Sequence, residues 1–241
     1  MHSTTKPLLA VECATMCGSV ALIDQGCCLA EYSLDVPTTH SKRLLNQLER
    51  VRQDVGVEWR ELGGLAVSLG PGSFTGLRIG LSLAKGLALA AGLPLLGVST
   101  LDGLAMQVAG LPGTRICAVL DARKQEVYAA CYQCDEKGRP ARTGRDQVLR
   151  PEMLAGQLNG PLVLVGDGAV AYRDVLLAHL GPSAIFAPPG SHFPRAATIG
   201  LLGEEMLARG ELLDPVSSVP IYVRPSEAEI NLRHKRQAPG H

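Results

Sequence analysis

The sequence lacks an excess of either charge sign. Its 241 residues include 23 Lys+Arg and 23 Asp+Glu, so the formal net charge is zero. A protein that binds nucleic acid mainly through its own charge is usually basic. We therefore expect any role in nucleic-acid chemistry to be indirect. Hydrophobic residues make up 46% and charged residues 19% of the chain, a composition that excludes a disordered protein and is typical of a globular one.

Export and membrane signals are also lacking. Residues 1–7 are polar, with no basic stretch followed by an apolar core, so we predict no signal peptide. The most apolar region, Leu77–Leu96, is interrupted by Lys85 and Pro94, which favours a buried helix and strand over a membrane span. Seven cysteines, an odd number without an export signal, indicate reduced thiols. We expect a cytoplasmic protein that does not contact membranes.

Signatures of nucleotide and metal sites are missing as well. Neither GxxxxGK[ST] nor GxGxxG occurs. His40 has no second histidine at helical spacing, and an isolated histidine is more often a surface or capping residue than a ligand. Cys131 and Cys134 form a CxxC, which suggests zinc or redox chemistry, but their odd offset on a strand places them on opposite faces. We predict buried structural thiols, no metal and no cofactor.

The order of predicted elements repeats once along the chain. Three strands at 8–12, 19–23 and 27–34 form a meander, and a helix, a strand, a long helix, a strand and a short helix follow to about residue 108. A similar, less regular order begins near residue 115 and includes a predicted helix from Val170 to Leu180. The pattern predicts an α/β fold of two RNase H-like lobes, with mixed sheets flanked by helices. The predicted boundaries are 1–110 and 111–230, followed by a polar tail at 231–241.

The most distinctive segment runs from Val67 to Gly80 and leads into the long helix. Small residues recur at every fourth position from its glycine-rich turn onward: Gly72, Gly76, Gly80, Ala84 and Ala88. Glycine inside a helix costs about 0.5–1 kcal/mol relative to alanine, so two glycines on one helical face suggest close contact with another backbone. The spacing alone leaves open whether that backbone belongs to this chain or to another subunit.

The run Gly70-Pro-Gly-Ser-Phe-Thr-Gly-Leu-Arg-Ile-Gly80 resembles the signature of the TsaB family. The resemblance extends from about Leu8 to Glu229. It includes the opening strand–turn–strand, His40–Leu45 in the first helix, Asp121-Ala-Arg with Glu126-Val-Tyr128, and Pro220–Arg224.

The resemblance implies a non-catalytic subunit of the machinery that makes threonylcarbamoyladenosine beside the tRNA anticodon. Such a subunit has two RNase H-like lobes of the actin-like ATPase superfamily and is a degenerate relative of the catalytic subunit TsaD. It works with TsaD and the ATPase TsaE, and it forms a homodimer when alone. From the balanced net charge we expect it to touch tRNA only indirectly. The resemblance assigns the contact to the helices of the first lobe. We therefore predict a partner interface at His40, Leu44, Leu45, Leu48, Val51, Phe74, Gly76, Leu77, Gly80, Leu81 and Ala84.

Two turns correspond to the phosphate-binding hairpins of actin-like ATPases, and both are altered. The family usually has Asp-Thr-Ser where this chain has Glu12-Cys-Ala14, and alanine offers no hydroxyl. The second turn, Asp121–Glu126, contains no glycine, which hinders backbone approach to a phosphate. We predict a degenerate cleft at Glu12, Thr15, Asp121 and Arg123. For Asp121 and Arg123, a turn-stabilising pair is an equal alternative.

The alternative class is a self-sufficient enzyme, either an ATP-dependent transferase or a glycoprotease-like peptidase. Ser73 is the one attractive nucleophile, but a serine after Pro-Gly at a helix start is usually an N-cap. The segment Gly72-Ser-Phe-Thr-Gly76 also has one residue too many for a GxSxG elbow. We therefore predict no catalytic residue in this chain.

Overall fold

The first sheet of the protein contains five strands in the order β3-β2-β1-β4-β5. The computed structural model describes residues 6–35 and 40–223, with the side chains of 40–43 excepted. The strands are β1 (Leu8–Glu12), β2 (Cys17–Asp24), β3 (Cys27–Asp35), β4 (Gly64–Gly70) and β5 (Leu95–Ser99). Strands β1–β3 form an antiparallel meander, whereas β4 and β5 run parallel to β1 and β4. The sheet is therefore mixed, as the sequence predicts.

The second sheet repeats this arrangement. Its strands are β6 (Arg115–Asp121), β7 (Val127–Cys134), β8 (Pro140–Arg142), β9 (Gln147–Leu149), β10 (Leu162–Val165) and β11 (Ala184–Phe186). The order is β11-β10-β6-β7-β8, and β9 also pairs with β7. Strands β6 and β7 are antiparallel, and β10 and β11 are parallel to β6. Because both sheets place a meander beside two parallel strands, the prediction of two RNase H-like lobes is confirmed.

Seven α-helices occur among the described residues and cover both sheets. They are α1 (His40–Val55), α2 (Phe74–Ala91), α3 (Thr100–Met106), α4 (Pro151–Gln157), α5 (Asp167–Ala171), α6 (Arg173–Leu180) and α7 (Ala196–Arg209). Helices α1 and α2 pack on the outer face of the first sheet. Helix α3 packs on one face of the second sheet, and α4 and α6 on the other. Helices α1 and α2 cover one face of β1 and α7 covers the other, so β1 is buried on both faces. This burial explains the apolar run at residues 8–11.

Helix α7 corrects the predicted domain boundaries. It follows the second sheet in sequence but packs on the first, against Leu8, Ala10 and Ile23. Its N-terminal amides are capped from the first lobe, because Ser19 Oγ accepts from Ala196 N–H at 2.8 Å and Glu31 accepts from Ala197 N–H at 3.0 Å. The first lobe is therefore discontinuous, and a boundary at residue 110 separates it from one of its own layers.

Local chemistry defines the ends of α2. Ser73 is its N-cap, and Gly92 ends it in the left-handed conformation at φ +64°, donating its N–H to Ala88 O. Among the described residues, α2 is the one helix long and apolar enough to cross a bilayer, with mean hydropathy 1.2. Buried helices of soluble proteins share those properties. One side of α2 packs on β4 through residues that include Leu77, Leu81 and Ala88.

Some predicted elements differ in detail. The predicted helix from Val170 to Leu180 is two helices, α5 and α6, which meet at Tyr172. Strand β11 is absent from the predicted elements, because its three residues, Ala-Ile-Phe, are too few to show a periodic pattern. The side chain of His40 and the tail at 231–241 lie outside the described residues.

Candidate partner surface and cleft

The small-residue stripe of α2 packs inside its own lobe. A Cβ atom added to Gly76 would overlap the carbonyl oxygen of Cys13, and one added to Gly80 would overlap the Sγ of Cys13. Ala84 is fully buried in the core of the first lobe. The close approach that the glycines permit is therefore between α2 and the turn after β1.

This packing corrects most of the predicted partner interface. The residues that are buried within the lobe are Leu44, Leu48, Val51, Gly76, Leu77, Gly80, Leu81 and Ala84. The helical periodicity of these positions marks the core-facing side, which sequence alone could not separate from a contact side. The exposed members of the predicted set are Leu45, with 46% of its surface exposed, and Phe74, with 38%.

The glycine-rich segment before α2 is hydrogen-bonded to the turn between β1 and β2, which we call the first turn. Ser73 N–H donates to Ala14 O at 2.6 Å, and a Cβ on Gly72 would meet Ala14. Ser73 Oγ accepts from Gly76 N–H at 3.2 Å, while the Cys13 thiol donates to Gly76 O at 3.0 Å. Two amides at the start of α2 are thus bonded within the chain. This geometry confirms Ser73 as an N-cap and disfavours a phosphate at this turn.

The solvent-facing side of α2 has a second row of residues, most of them small. Thr75, Ser82, Gly86 and Leu89 are exposed, and we call this set the outer face of α2. In the part of the chain that the structure describes, a Cβ added to Gly86 would meet nothing within 4 Å. Gly86 lies in the helix interior, where glycine costs about 1 kcal/mol relative to alanine. Packing among the described residues 6–35 and 40–223 gives no reason for this glycine.

Sequence analysis missed how the chain borders this face. The Tyr222 ring lies 5.0 Å from the Phe74 ring, and the Arg78 guanidinium lies 3.8 Å from the Phe74 centroid. Arg78 Nε donates to Tyr222 Oη at 2.9 Å, and Lys85 Nζ donates to Ser218 O at 3.1 Å. The segment around Tyr222 therefore lines one edge of α2. The Pro-Ile-Tyr-Val pattern was visible, but its contact with Phe74 depends on tertiary packing.

Glu12 is fully buried at the end of β1. Burial raises its pKa to about 7, although the hydrogen bond from Ala14 N–H acts in the opposite direction. Within the described part of the chain, Glu12 Oε2 and Ser68 Oγ have no hydrogen-bond partner. The Glu12 carboxyl group is therefore enclosed by the first turn and is not exposed to a ligand.

Thr15 also lies in the first turn. Its hydroxyl donates to Cys17 O at 3.2 Å, so it supports the turn. In residues 6–35 and 40–223, no hydrogen bond or ion pair joins Glu12 or Thr15 to Asp121 or Arg123. The predicted cleft residues form two separate clusters, one in each lobe.

The second cluster is a left-handed turn. Arg123, Lys124 and Gln125 have φ values of +60°, +54° and +58°, a conformation that L-residues adopt at a cost. Asp121 accepts the Arg123 N–H at 2.9 Å and forms an ion pair with the Arg123 guanidinium at 3.2 Å. The structure thus shows the turn-stabilising pair, one of the two interpretations of these residues.

Asp167 was missed by sequence analysis. Its Oδ1 accepts Asp121 N–H at 2.9 Å, and burial raises its pKa. Its neighbour Gly168 lies against the backbone of Leu120, where a side chain would overlap. The signal was the Gly166-Asp-Gly168 triplet directly after an apolar strand, since glycines that flank an acid mark a close backbone approach.

The cysteines are separated as predicted. Cys131 packs with the α4–α6 side of the second sheet and Cys134 with the α3 side, so the CxxC pair spans the sheet. Over the described residues, no group of three or more His, Cys, Asp or Glu side chains is placed to hold a metal. The absence of a metal from the purified protein stays a prediction.

Comparison with known proteins identifies the family. Residues 35–232 match the family model described as TsaD, tRNA N6-adenosine threonylcarbamoyltransferase. The chain is 37% identical to tRNA threonylcarbamoyladenosine biosynthesis protein TsaB of Escherichia coli, covering 90% of this chain and 94% of the relative. It is 30% identical to the protein of the same name in Bacillus subtilis, covering 92% and 96%.

Solved structures agree with this result. YeaZ from Pseudomonas aeruginosa superimposes with a TM-score of 0.78 at 32% identity, covering 90% of this chain and all of that one. A ROK hexokinase from Thermus thermophilus, at 13% identity and a TM-score of 0.51, shares the fold alone over 85% of this chain and all of that one. This chain therefore belongs to the TsaB family of tRNA threonylcarbamoyladenosine biosynthesis proteins, because it is 30–37% identical to these relatives over at least 90% of its length and shares the fold of YeaZ.

Proposed function

We propose that this chain is a non-catalytic subunit that supports a TsaD-like threonylcarbamoyltransferase, together with a TsaE-like ATPase, in the cytoplasm. The E. coli and B. subtilis relatives are named for threonylcarbamoyladenosine biosynthesis, and the match to the TsaD family model supports common descent with the transferase. In this proposal the transferase holds the tRNA and performs the chemistry, and this chain contacts tRNA only indirectly.

The surroundings of Glu12, Asp121 and Ser73 support a role without catalysis by this chain. Glu12 is enclosed behind the first turn, and Asp121 is bonded to its own turn through Arg123. Ser73 Oγ caps α2. Actin-like phosphate sites and serine nucleophiles both require groups that point into an open site. Each of these three side chains instead accepts a hydrogen bond from a backbone N–H of its own lobe.

The outer face of α2 is the observation that carries the partner role. Gly86 is an exposed glycine in a helix interior with open space in front of it. Leu89 on the same face has 60% of its surface exposed, and Leu45 of α1 adds a further exposed apolar side chain. Small and apolar residues on one exposed helical face suit close packing against another helix. We place the TsaD-like partner there, and the second copy of a homodimer on the same face.

Reconstitution tests the function. Purified TsaD-like and TsaE-like proteins, a threonylcarbamoyl donor, ATP and substrate tRNA are combined with and without this chain, and modified adenosine is measured by mass spectrometry. The proposal expects modification only when this chain is present. It also expects no ATP turnover by this chain alone. Full activity without the chain, or ATP or peptide turnover by the chain alone at about 1 s⁻¹ or more, would contradict the proposal.

A further inference from the structure

Cys117 and Cys131 face each other across two antiparallel strands. They are direct partners in the register of β6 and β7. The carbonyl of Cys131 accepts Thr143 N–H at 2.9 Å on the opposite side of β7, so its backbone groups point away from β6. The pair is therefore of the non-hydrogen-bonded type, in which Cα atoms are about 4.5 Å apart and side chains are closest. Disulfides span Cα separations of roughly 4.4–6.8 Å.

The two thiols differ in access and in ionisation. Cys117 is completely buried, whereas Cys131 is partly exposed. A hydrogen bond from the Cys117 thiol and the charge of Arg115 lower the pKa of Cys131 to about 7 against the effect of burial. The same hydrogen bond and burial raise the pKa of Cys117. Cys131 is thus the more exposed and the more readily ionised of the two thiols, and Cys117 is a protonated partner beside it.

We propose that Cys117 and Cys131 form a redox-active dithiol that closes to a cross-strand disulfide when it meets a low-molecular-weight disulfide. The Cys131 thiolate attacks one sulfur of the oxidant, which forms a mixed disulfide and releases one thiolate. Cys117 then loses its proton and attacks Cys131 Sγ, which releases the second thiol. The dithiol loses two electrons and two protons, and the oxidant becomes two thiols.

The remaining cysteine of the second sheet does not offer this geometry. Cys134 is buried on the opposite face, among the residues that pack against α3. The new bond would close the β6–β7 hairpin below the left-handed turn at Arg123–Gln125. Oxidation would therefore fix the base of the hairpin that carries Asp121.

Peptide mapping tests the proposal in the native full chain. The protein is incubated with oxidised glutathione, alkylated and digested with trypsin without reduction. We expect Ile116–Arg123 to be linked to Gln125–Lys137 in the wild type and in Cys134→Ala, and the link to disappear in Cys131→Ala and after reduction. Cys117→Ser should instead retain glutathione on Cys131. Circular dichroism verifies that each variant is folded.

Thermal unfolding gives a second readout that needs no buried substitution. The oxidised wild type should melt at a higher temperature than the reduced protein, and Cys131→Ala should show no such shift. A persistent glutathione adduct on wild-type Cys131, reaction confined to the exposed Cys27 and Cys28, or a link that depends on Cys134 would overturn the proposal.

Discussion

At the residue scale, the glycines of α2 serve two different purposes. A Cβ added to Gly80 would overlap Cys13 Sγ, whereas the described residues leave the space in front of Gly86 open. We expect Gly80→Ala to lower the free energy of unfolding by about 1–3 kcal/mol through overpacking. Gly86→Ala should raise it by about 0.5–1 kcal/mol through helix propensity. Denaturant unfolding of both variants measures this difference, and equal effects would contradict it.

A double-mutant cycle locates the clash at Gly80. Cys13→Ala removes the sulfur that an added methyl group would meet. The combination Gly80→Ala with Cys13→Ala should therefore cost less than the sum of the two single changes. Additive costs would show that the clash is elsewhere. Gly80→Leu places a larger side chain against the same sulfur and should unfold the lobe.

Glu12 predicts an unusual pH dependence. Its folded-state pKa is about 7, above the ordinary 4.5, so its contribution to stability is complete below pH 4.5 and is lost as the pH rises to 7. Glu12→Gln keeps the neutral form at every pH. We expect this variant to exceed the wild type at pH 8 by on the order of 3 kcal/mol, with most of the difference gone at pH 5.

Denaturant unfolding at the two pH values measures this effect. Glu211→Gln is a control of opposite sign, because Arg209 lowers the pKa of the exposed Glu211 carboxyl. That variant should gain nothing at pH 8. A Glu12→Gln variant whose advantage is the same at pH 5 and pH 8 would rule out a buried, titrating carboxyl.

At the element scale, the β6–β7 turn combines three left-handed residues without glycine. An L-residue in this conformation costs about 1–2 kcal/mol, and glycine avoids this strain. Part of the gain is offset because glycine loses more conformational entropy on folding. We expect Gln125→Gly, at φ +58°, to raise stability by up to about 1 kcal/mol. Gln133→Gly in the extended strand β7 should lower it by about 0.5–1 kcal/mol. Thermal melts compare the two, and a loss at Gln125 would contradict the prediction.

Sequence patterns predicted most elements because periodicity and capping are local. Strand β1, the Ser73 cap and the end of α2 near Ala91 all follow from neighbouring residues. The small-residue stripe shows where local reasoning ends. Its spacing identified a face in close contact, but only the position of Cys13 shows that the contact lies within the lobe. Asp167 and Tyr222 were missed because their partners are distant in sequence.

At the scale of the whole molecule, α7 makes the first lobe depend on the end of the chain. A fragment of residues 1–110 would expose Leu8, Ala10 and Ile23, which α7 covers. We expect this fragment to be insoluble or unfolded alone and to gain native circular dichroism when the 111–241 segment is co-expressed. A cooperatively folded 1–110 fragment would restore the predicted boundary.

The whole-molecule account assigns the outer face of α2 to a partner. Gly86→Leu should hold a partner helix away while leaving the fold intact, because the site is exposed and leucine favours helix. Gly156→Leu is a matched control, since Gly156 is an exposed glycine of α4 in the other lobe with equally open space. Overpacking of about 1–3 kcal/mol corresponds to roughly 5–150-fold in affinity.

Titration calorimetry with the purified TsaD-like transferase is the most direct test of the proposed role. The wild type and Gly156→Leu should bind the transferase with the same affinity, and Gly86→Leu should bind at least about fivefold more weakly at unchanged or higher thermal stability. Equal binding by all three proteins would remove the partner from the outer face of α2. No binding by the wild type would contradict the role as a partner subunit.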